Sequence, residues 1–453
     1  MGRKITVRLL PLFGFLFLTA YLRSASANVV YTDYIRLVNS YLENVYSLSP
    51  YLHGDVLTRI PVNYLERIVN VRFFHYSTMF DMVLGAAFLS WNAYLLGRYC
   101  EKKRLPLAVT ALLMLLMFSL NKWEMLTNGS GWVHFAAFAL FFCHYLSLEA
   151  LLQKNGDRKA ARRLLWLPSL TILFFAGPYC AIYALTAVLA ELVIVLRFRR
   201  DVRQSAARVL AVLLPFGLYL ISRSLSVEER HGATTDSIFT VVRAHPLLLP
   251  RFFVRSFASE IIGQESAGQL PGFVFTGLGL LVLALYALAF RRAARLIEKE
   301  RSLFPLCLIA SGFLNHLLVT ASRWIFLREN YGMSSRYALQ YQVGMLGLLL
   351  ILFLSARDSG RQGARRLAVV SLLVFCLGNL ATTAHEIHMA PYRKENFLAM
   401  RTVAKNFETE SDETLVKVLS YHDPVRIRKA LSLLQHKNLN VFYEKKGVES
   451  PHE

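Results

Sequence analysis

The residues best suited to chemistry in this chain are carboxylates and guanidinium groups that sit at the ends of apolar runs. Asp33 follows the first such run, inside Tyr31-Thr32-Asp33-Tyr34, near the level of lipid headgroups. A carboxylate there can cap a helix. It can also act as a general base, because partial burial raises its affinity for a proton. A second group, His53, Asp55 and Arg59, combines an imidazole, a carboxylate and a guanidinium within a few residues. It reads either as a solvated loop or as a polar cluster facing Asp33. Lys122, Trp123 and Glu124 close the third apolar run, and Arg323, Arg328 and Arg336 follow the ninth, with Tyr331 and Tyr337. The planar fork of arginine suits phosphate; pairing with anionic lipid headgroups is the other reading. Asp81, Glu149 and Glu191 lie within or near the ends of runs, where an ionisable group serves function, holds helices together or snorkels.

The elements that must position these groups are membrane spans. The chain has 453 residues, 55% of them hydrophobic and 18% charged. Soluble domains are nearer 45–50% apolar and about 25% charged, so the composition disfavours a one-core soluble enzyme. A bilayer core of about 30 Å needs about 20 apolar residues per helix, and about eleven runs meet that description. They lie near 5–22, 78–97, 105–121, 131–152, 164–177, 179–196, 209–222, 272–290, 303–321, 341–355 and 367–384. The expected fold is therefore an all-α polytopic membrane protein. The first run is read as a retained helix rather than a cleaved signal peptide, because Arg23 follows it directly.

The net charge of +21 does not indicate nucleic acid, since no matching motif accompanies it. Its Lys and Arg clusters follow the second, fourth, sixth, eighth and tenth runs. That alternation marks a cytoplasmic side. It predicts a cytoplasmic amino terminus, a periplasmic carboxyl terminus and periplasmic segments at 23–77, 223–271 and 322–340. In the first of these, Tyr34, Leu37, Val38, Tyr41, Leu42 and Val45 recur at helical spacing. A second helix is expected from Pro61, with Leu65, Ile68, Val69 and Phe73 on its apolar side. Both can pack on the bundle or roof a cavity at the membrane surface. Residues 385–453 are expected to be a small tail of short helices, begun at Asp423-Pro424 and docked on the outer face. The five cysteines form no CxxC pair, and His385-Glu386-Ile387-His388 lacks the HExxH zinc spacing. No nucleotide-binding or serine-hydrolase motif is present.

Several short strings resemble membrane glycosyltransferases of the GT-C type. Tyr31-Thr32-Asp33-Tyr34 is similar to their "DDW" segment, with Thr32 at the first Asp. His53 to Arg59 resembles "HNEHR", with Asp55 at the Glu. Trp123-Glu124-Met125-Leu126 resembles "WENLL", Ser334-Ser335-Arg336-Tyr337 resembles "SSRY", and Asn438-Leu439-Asn440-Val441-Phe442 resembles the "LNVF" ending. The resemblance implies transfer of a sugar from a polyprenyl-phosphate donor to a cell-envelope glycan or lipid at the periplasmic face of a bacterial inner membrane. It implies Asp33, then Asp55, as the base, and Arg336, Tyr337, Arg59, Lys122 and Arg323 as phosphate ligands. His53 and Glu124 are further site candidates. Members differ in their use of a divalent ion, Mg or Mn. An O-antigen-type polymerase or ligase is the first alternative, disfavoured because the carboxylates lie in the early loop. A flippase or transporter is the second, disfavoured by the lack of visible internal repeats.

Overall fold

The computed structural model describes residues 2–47, 61–153, 157–199, 201–224 and 233–444. His53, Asp55 and Arg59 lie outside the described residues. Among those described the chain is all-α, and ten helices are long and apolar enough to cross a membrane. The helices used below are α1 (Gly2–Ala25), α2 (Asp33–Leu37), α3 (Pro61–Phe74), α4 (Thr78–Lys102), α5 (Leu107–Met117), α6 (Trp123–Thr127), α7 (Trp132–Gln153), α8 (Arg158–Leu170), α9 (Cys180–Phe198), α10 (Val202–Ser224), α11 (Ile238–Ala244), α12 (Leu248–Ala258), α13 (Gly272–Glu300), α14 (Phe304–Arg323), α15 (Ala338–Ser359), α16 (Gln362–Lys405), α17 (Asp412–Val418) and α18 (Pro424–His436).

The run expected at 164–177 is helical but is not one of the ten. There α8 opens on Arg158, Lys159, Arg162 and Arg163 and continues as a π-helical turn over Thr171–Ala176. Charged first turns confine its apolar length to the second half. The centre of the bundle is α15, which is buried almost along its whole length. It crosses α14 where two glycines meet: a Cβ on Gly312 would lie 2.2 Å from the Gly344 Cα. Only small residues allow two helix backbones this close.

Ion pairs gather the basic clusters at one end of the bundle. Lys103 bonds Glu149 at 3.1 Å, Arg197 bonds Glu298 at 2.8 Å, and Lys299 bonds Asp358 at 3.0 Å. Glu191 and Arg208 are joined through Nε at 2.6 Å and Nη2 at 2.9 Å. Glu149 also accepts from the Phe304 backbone N–H at 2.9 Å. Glu149 and Glu191 are thus buried tethers between helices, and neither snorkels. A buried carboxylate needs such a partner, since leaving it alone costs several kcal/mol (roughly).

At the opposite end, the first loop forms the expected helices with one inversion. In α2 and the π-helical turn Val38–Leu42 the apolar residues Tyr34, Leu37, Val38, Tyr41 and Leu42 are buried. In α3 the apolar stripe divides, and Ile68 alone of its four residues packs against the first-loop and tail cluster. Leu65, Val69 and Phe73 are exposed, whereas Asn63, Glu66, Arg67 and Asn70 are buried. The reason is Asp81 at the start of α4. Its Oδ2 accepts from Arg67 Nη2 at 2.5 Å and from the Tyr34 hydroxyl at 2.5 Å, and its Oδ1 accepts from Asn70 Nδ2 at 2.7 Å. The polar stripe therefore belongs inside and most of the apolar stripe faces outward, the arrangement of a helix lying against acyl chains.

The boundary expected at 384/385 falls inside α16, which runs unbroken to Lys405. At about 1.5 Å per residue it is roughly twice as long as a bilayer core is thick, so it extends to the first loop, where the tail docks. The tail has no separate core. Leu415, Leu419, Ile427, Leu431 and Leu434 share one cluster with Tyr31, Tyr34, Ile35 and Leu37. Asn39 Nδ2 donates to the Arg426 carbonyl at 2.9 Å across that contact.

Candidate functional site

Three separate stretches of chain converge at the end of the bundle opposite the basic clusters. The first is the turn Tyr31–Tyr34, closed by the Tyr34 N–H on the Tyr31 carbonyl at 3.0 Å. It holds Asp33, half-buried, at the head of α2. The second stretch lies between α5 and α7. The helical path breaks at Phe118, tightens into a 3-10 turn at Leu120–Lys122 and resumes as α6, which presents Glu124. A turn then carries Asn128 and Ser130, with Ser130 Oγ donating to Asn128 Oδ1 at 2.7 Å. Gly129 is required between them, because a Cβ there would meet the Tyr34 hydroxyl at 2.2 Å and the Thr78 carbonyl at 2.8 Å. The third stretch follows α14 as a series of 3-10 turns ending in Ser335–Tyr337.

Between them lies a cavity of about 350 Å³, within the range of small-molecule sites, about 300–1,000 Å³. Asp33, Glu124, Arg323, Arg336 and Tyr337 all line it. Arg336 donates from Nε to Glu124 Oε1 at 2.5 Å, and Ser335 Oγ donates to Glu124 Oε2 at 3.1 Å. The Arg336 side chain remains 55% exposed. Among the described residues no protein group accepts from its Nη1 or Nη2, which leaves the guanidinium fork available to a ligand. Arg323 also lines the cavity and has no protein ion pair among the described residues. The site thus holds two carboxylates and two guanidiniums, of which Glu124 and Arg336 are joined.

Aromatic groups complete the wall. Tyr331 stacks on Phe326 with centroids 4.6 Å apart, and His134 meets Tyr179 edge-on at 4.8 Å. Burial raises the Tyr31 phenol above its ordinary range, with Glu124 adding to the effect. Burial does the same to Tyr179, against the opposing charge of Arg323. Both phenols stay neutral at physiological pH. His134, Tyr179, Asn128 and Ser130 were not singled out from the sequence. The signals for them are the Asn-Gly-Ser-Gly turn and the Gly177-Pro178-Tyr179 turn, both legible as punctuation but not as site residues.

Other candidates lie elsewhere. Lys122 is fully buried and absent from the cavity wall; its Nζ donates to the Ser119 carbonyl at 2.8 Å and to Asn121 Oδ1 at 3.1 Å. It closes the helix break rather than meeting a phosphate. Asp81 is spent on Arg67. Glu386, from the His385–His388 string, is held by Arg393 through two bonds of 2.8 Å, and Arg393 in turn covers the Trp123 ring at 3.2 Å. Among the described residues the cysteines form no disulfide.

Among the described residues no group of three His, Cys, Asp or Glu side chains converges. Of the two cavity carboxylates, Glu124 already accepts from Arg336 and Ser335. No protein-family model matches the chain, and no curated protein matches it.

Proposed function

We propose that this protein is a glycosyltransferase of GT-C type that uses a polyprenyl-phosphate sugar at the periplasmic face of a bacterial inner membrane. The observation that carries this reading is the convergence of Asp33, Arg323, Arg336 and Tyr337 on one cavity, opposite the basic end of the bundle. By the positive-inside bias that basic end faces the cytoplasm, so the cavity opens on the other side. A lipid-borne donor and a carboxylate base at the headgroup level suit each other there.

In the reaction, the donor phosphate lies against Arg323 and the Nη fork of Arg336. The hydroxyl oxygen of a glycan or lipid acceptor attacks the anomeric carbon, and its proton passes to Asp33. The bond from the anomeric carbon to the phosphate oxygen breaks, with its electron pair leaving on polyprenyl phosphate. Attack opposite the phosphate inverts the anomeric centre, through an oxocarbenium-like transition state. Guanidiniums aimed at the leaving oxygen stabilise the charge that grows there.

The test replaces the chromosomal gene with an Asp33→Asn copy and measures membrane lipids by mass spectrometry. The expected result is accumulation of a polyprenyl-phosphate sugar, with normal amounts of the variant protein in the membrane. A lipid pool identical to the parent's would remove Asp33 as the base.

A further inference from the structure

We propose that the carboxy-terminal segment sets the direction of Asp33 through a strained backbone clasp, which makes Thr32 and Asn440 positioning residues of the site. The idea rests on the reading of Asp33 given above, and it concerns how that carboxylate is aimed.

Thr32 has φ +45° and ψ −122°. Glycine adopts this conformation readily, whereas a β-branched side chain does so at a cost of about 1–3 kcal/mol. Such strain persists only where surrounding contacts over-determine it. On one side the Thr32 N–H donates to the Leu419 carbonyl of the tail at 2.9 Å. The residue after Leu419, Ser420, is itself at φ +52°. Two non-glycine residues in the left-handed region thus flank this hydrogen bond between the first loop and the tail. On the next position, Tyr31 is buried edge-on against Phe397, with centroids 5.3 Å apart.

The tail is pinned in its turn. Asn440, at φ +53°, donates from its backbone to the His75 carbonyl at 2.8 Å. Its Nδ2 donates to the Tyr76 carbonyl at 2.7 Å and to Asn28 Oδ1 at 3.0 Å. Asn28 Oδ1 also accepts from the Thr78 N–H at 2.8 Å. Tyr443 stacks on His75 at 3.7 Å. Asn440 therefore ties the tail to the base of α3 and the start of α4, and Leu419 holds Thr32 from that anchorage. Released, Thr32 relaxes to negative φ. Because Asp33 is the next residue, its side chain then leaves the cavity wall.

The test uses full-length protein in detergent with the five native cysteines replaced by alanine. Asp33→Cys provides one reporter and Arg323→Cys, on the opposite wall, a second. The rate of modification by sulfonatoethyl methanethiosulfonate is measured for each, with and without Asn440→Ala. The expected result is a change of about fivefold or more at position 33 and none at position 323, since coupling is confined to the clasp. Thr32→Pro, which fixes φ near −65° and removes the N–H, should change the rate at position 33 in the same direction, and Thr32→Gly should keep the parent rate. An unchanged rate at position 33 overturns the proposal. Equal changes at both positions also overturn it, because they report general loosening. If the reporters behave as expected but Asp33→Asn leaves the lipid pool unaltered, the clasp stands and the catalytic reading of Asp33 falls.

Discussion

Replacing Arg67 by methionine should destabilise the protein by about 3–5 kcal/mol, the usual cost of breaking a buried pair by removing one partner. Arg67 is fully buried, and its Nη2 lies 2.5 Å from both Asp81 Oδ2 and Glu66 Oε2. One cation cannot neutralise two carboxylates. Burial, reinforced by Asp81, raises Glu66 well above the ordinary carboxylate range despite Arg67, so Glu66 keeps its proton. Burial opposes the charge on Arg67, but Asp81 and then Glu66 overcome this and hold it protonated. For unit charges about 4 Å apart at an effective dielectric of about 20, the attraction is about 4 kcal/mol, in agreement with the figure above. In Arg67→Met the Asp81 carboxylate is stranded, with the neutral donors Tyr34 and Asn70 but no cation beside it. Adding Asp81→Asn removes the stranded charge and should recover about half the loss. Asp81→Asn alone should cost less than Arg67→Met, because Glu66 can ionise and take over as the partner of Arg67. The assay is unfolding by SDS from mixed micelles, followed by the thiol reactivity of the buried Cys100, Cys180 and Cys307. A double variant no more stable than Arg67→Met would refute the charge-pair account of why α3 lies inside out.

Two further outcomes follow from buried groups. Glu260, between α12 and α13, is raised well above the ordinary carboxylate value by burial, and Tyr286 donates to it at 2.6 Å. The folded state therefore holds a proton that the unfolded state releases near pH 4.3 (about). This stabilisation is complete below that pH and is lost as pH rises through the folded value. Glu260→Gln should flatten the stability profile across that window, and an unchanged slope would show that another group is responsible. Gly129→Ala should cost about 1–3 kcal/mol, because the new methyl meets the Tyr34 hydroxyl at 2.2 Å; wild-type resistance to SDS would mean that the 128–131 turn yields freely.

The helices were legible because apolar length is a local property. The charged residues of the cavity wall drew notice for a similar reason: a carboxylate or guanidinium at the end of an apolar run has few places to go. The closing pair of the cavity was not legible. Glu124 and Arg336 are 212 residues apart, and either charge alone suits a lipid headgroup as well as a partner. The orientation of α3 was hidden because hydrophobic periodicity has no sign. Leu65, Val69 and Phe73 mark one stripe, but whether it faces protein or lipid depends on Asp81, which belongs to another helix. Lys122 misled for the opposite reason. Its position at a helix end is that of a snorkelling cation, yet the break at Phe118 turns it inward onto the Ser119 carbonyl. Thr32 gave no signal at all, since its conformation is one that sequence rules assign to glycine.

The two arginines of the cavity are not equivalent on the proposed reaction. Before transfer, Asp33 and the donor phosphodiester each carry one negative charge. As the acceptor proton reaches Asp33 and the sugar leaves, the carboxyl becomes neutral and the phosphate gains the second charge. The total is unchanged, but one negative charge has moved from Asp33 to the phosphate. Arg336 meets that shift with its Nε already given to Glu124, so part of its field is spent in the ground state. Arg323 has no protein ion pair among the described residues. Its attraction to the phosphate grows fully with the developing charge, and only such differential stabilisation lowers a barrier. The ranking from sequence, with Arg336 first, is therefore reversed for the chemical step. Arg336 remains the better anchor for the bound donor, because Glu124 and Ser335 fix its orientation before the donor arrives.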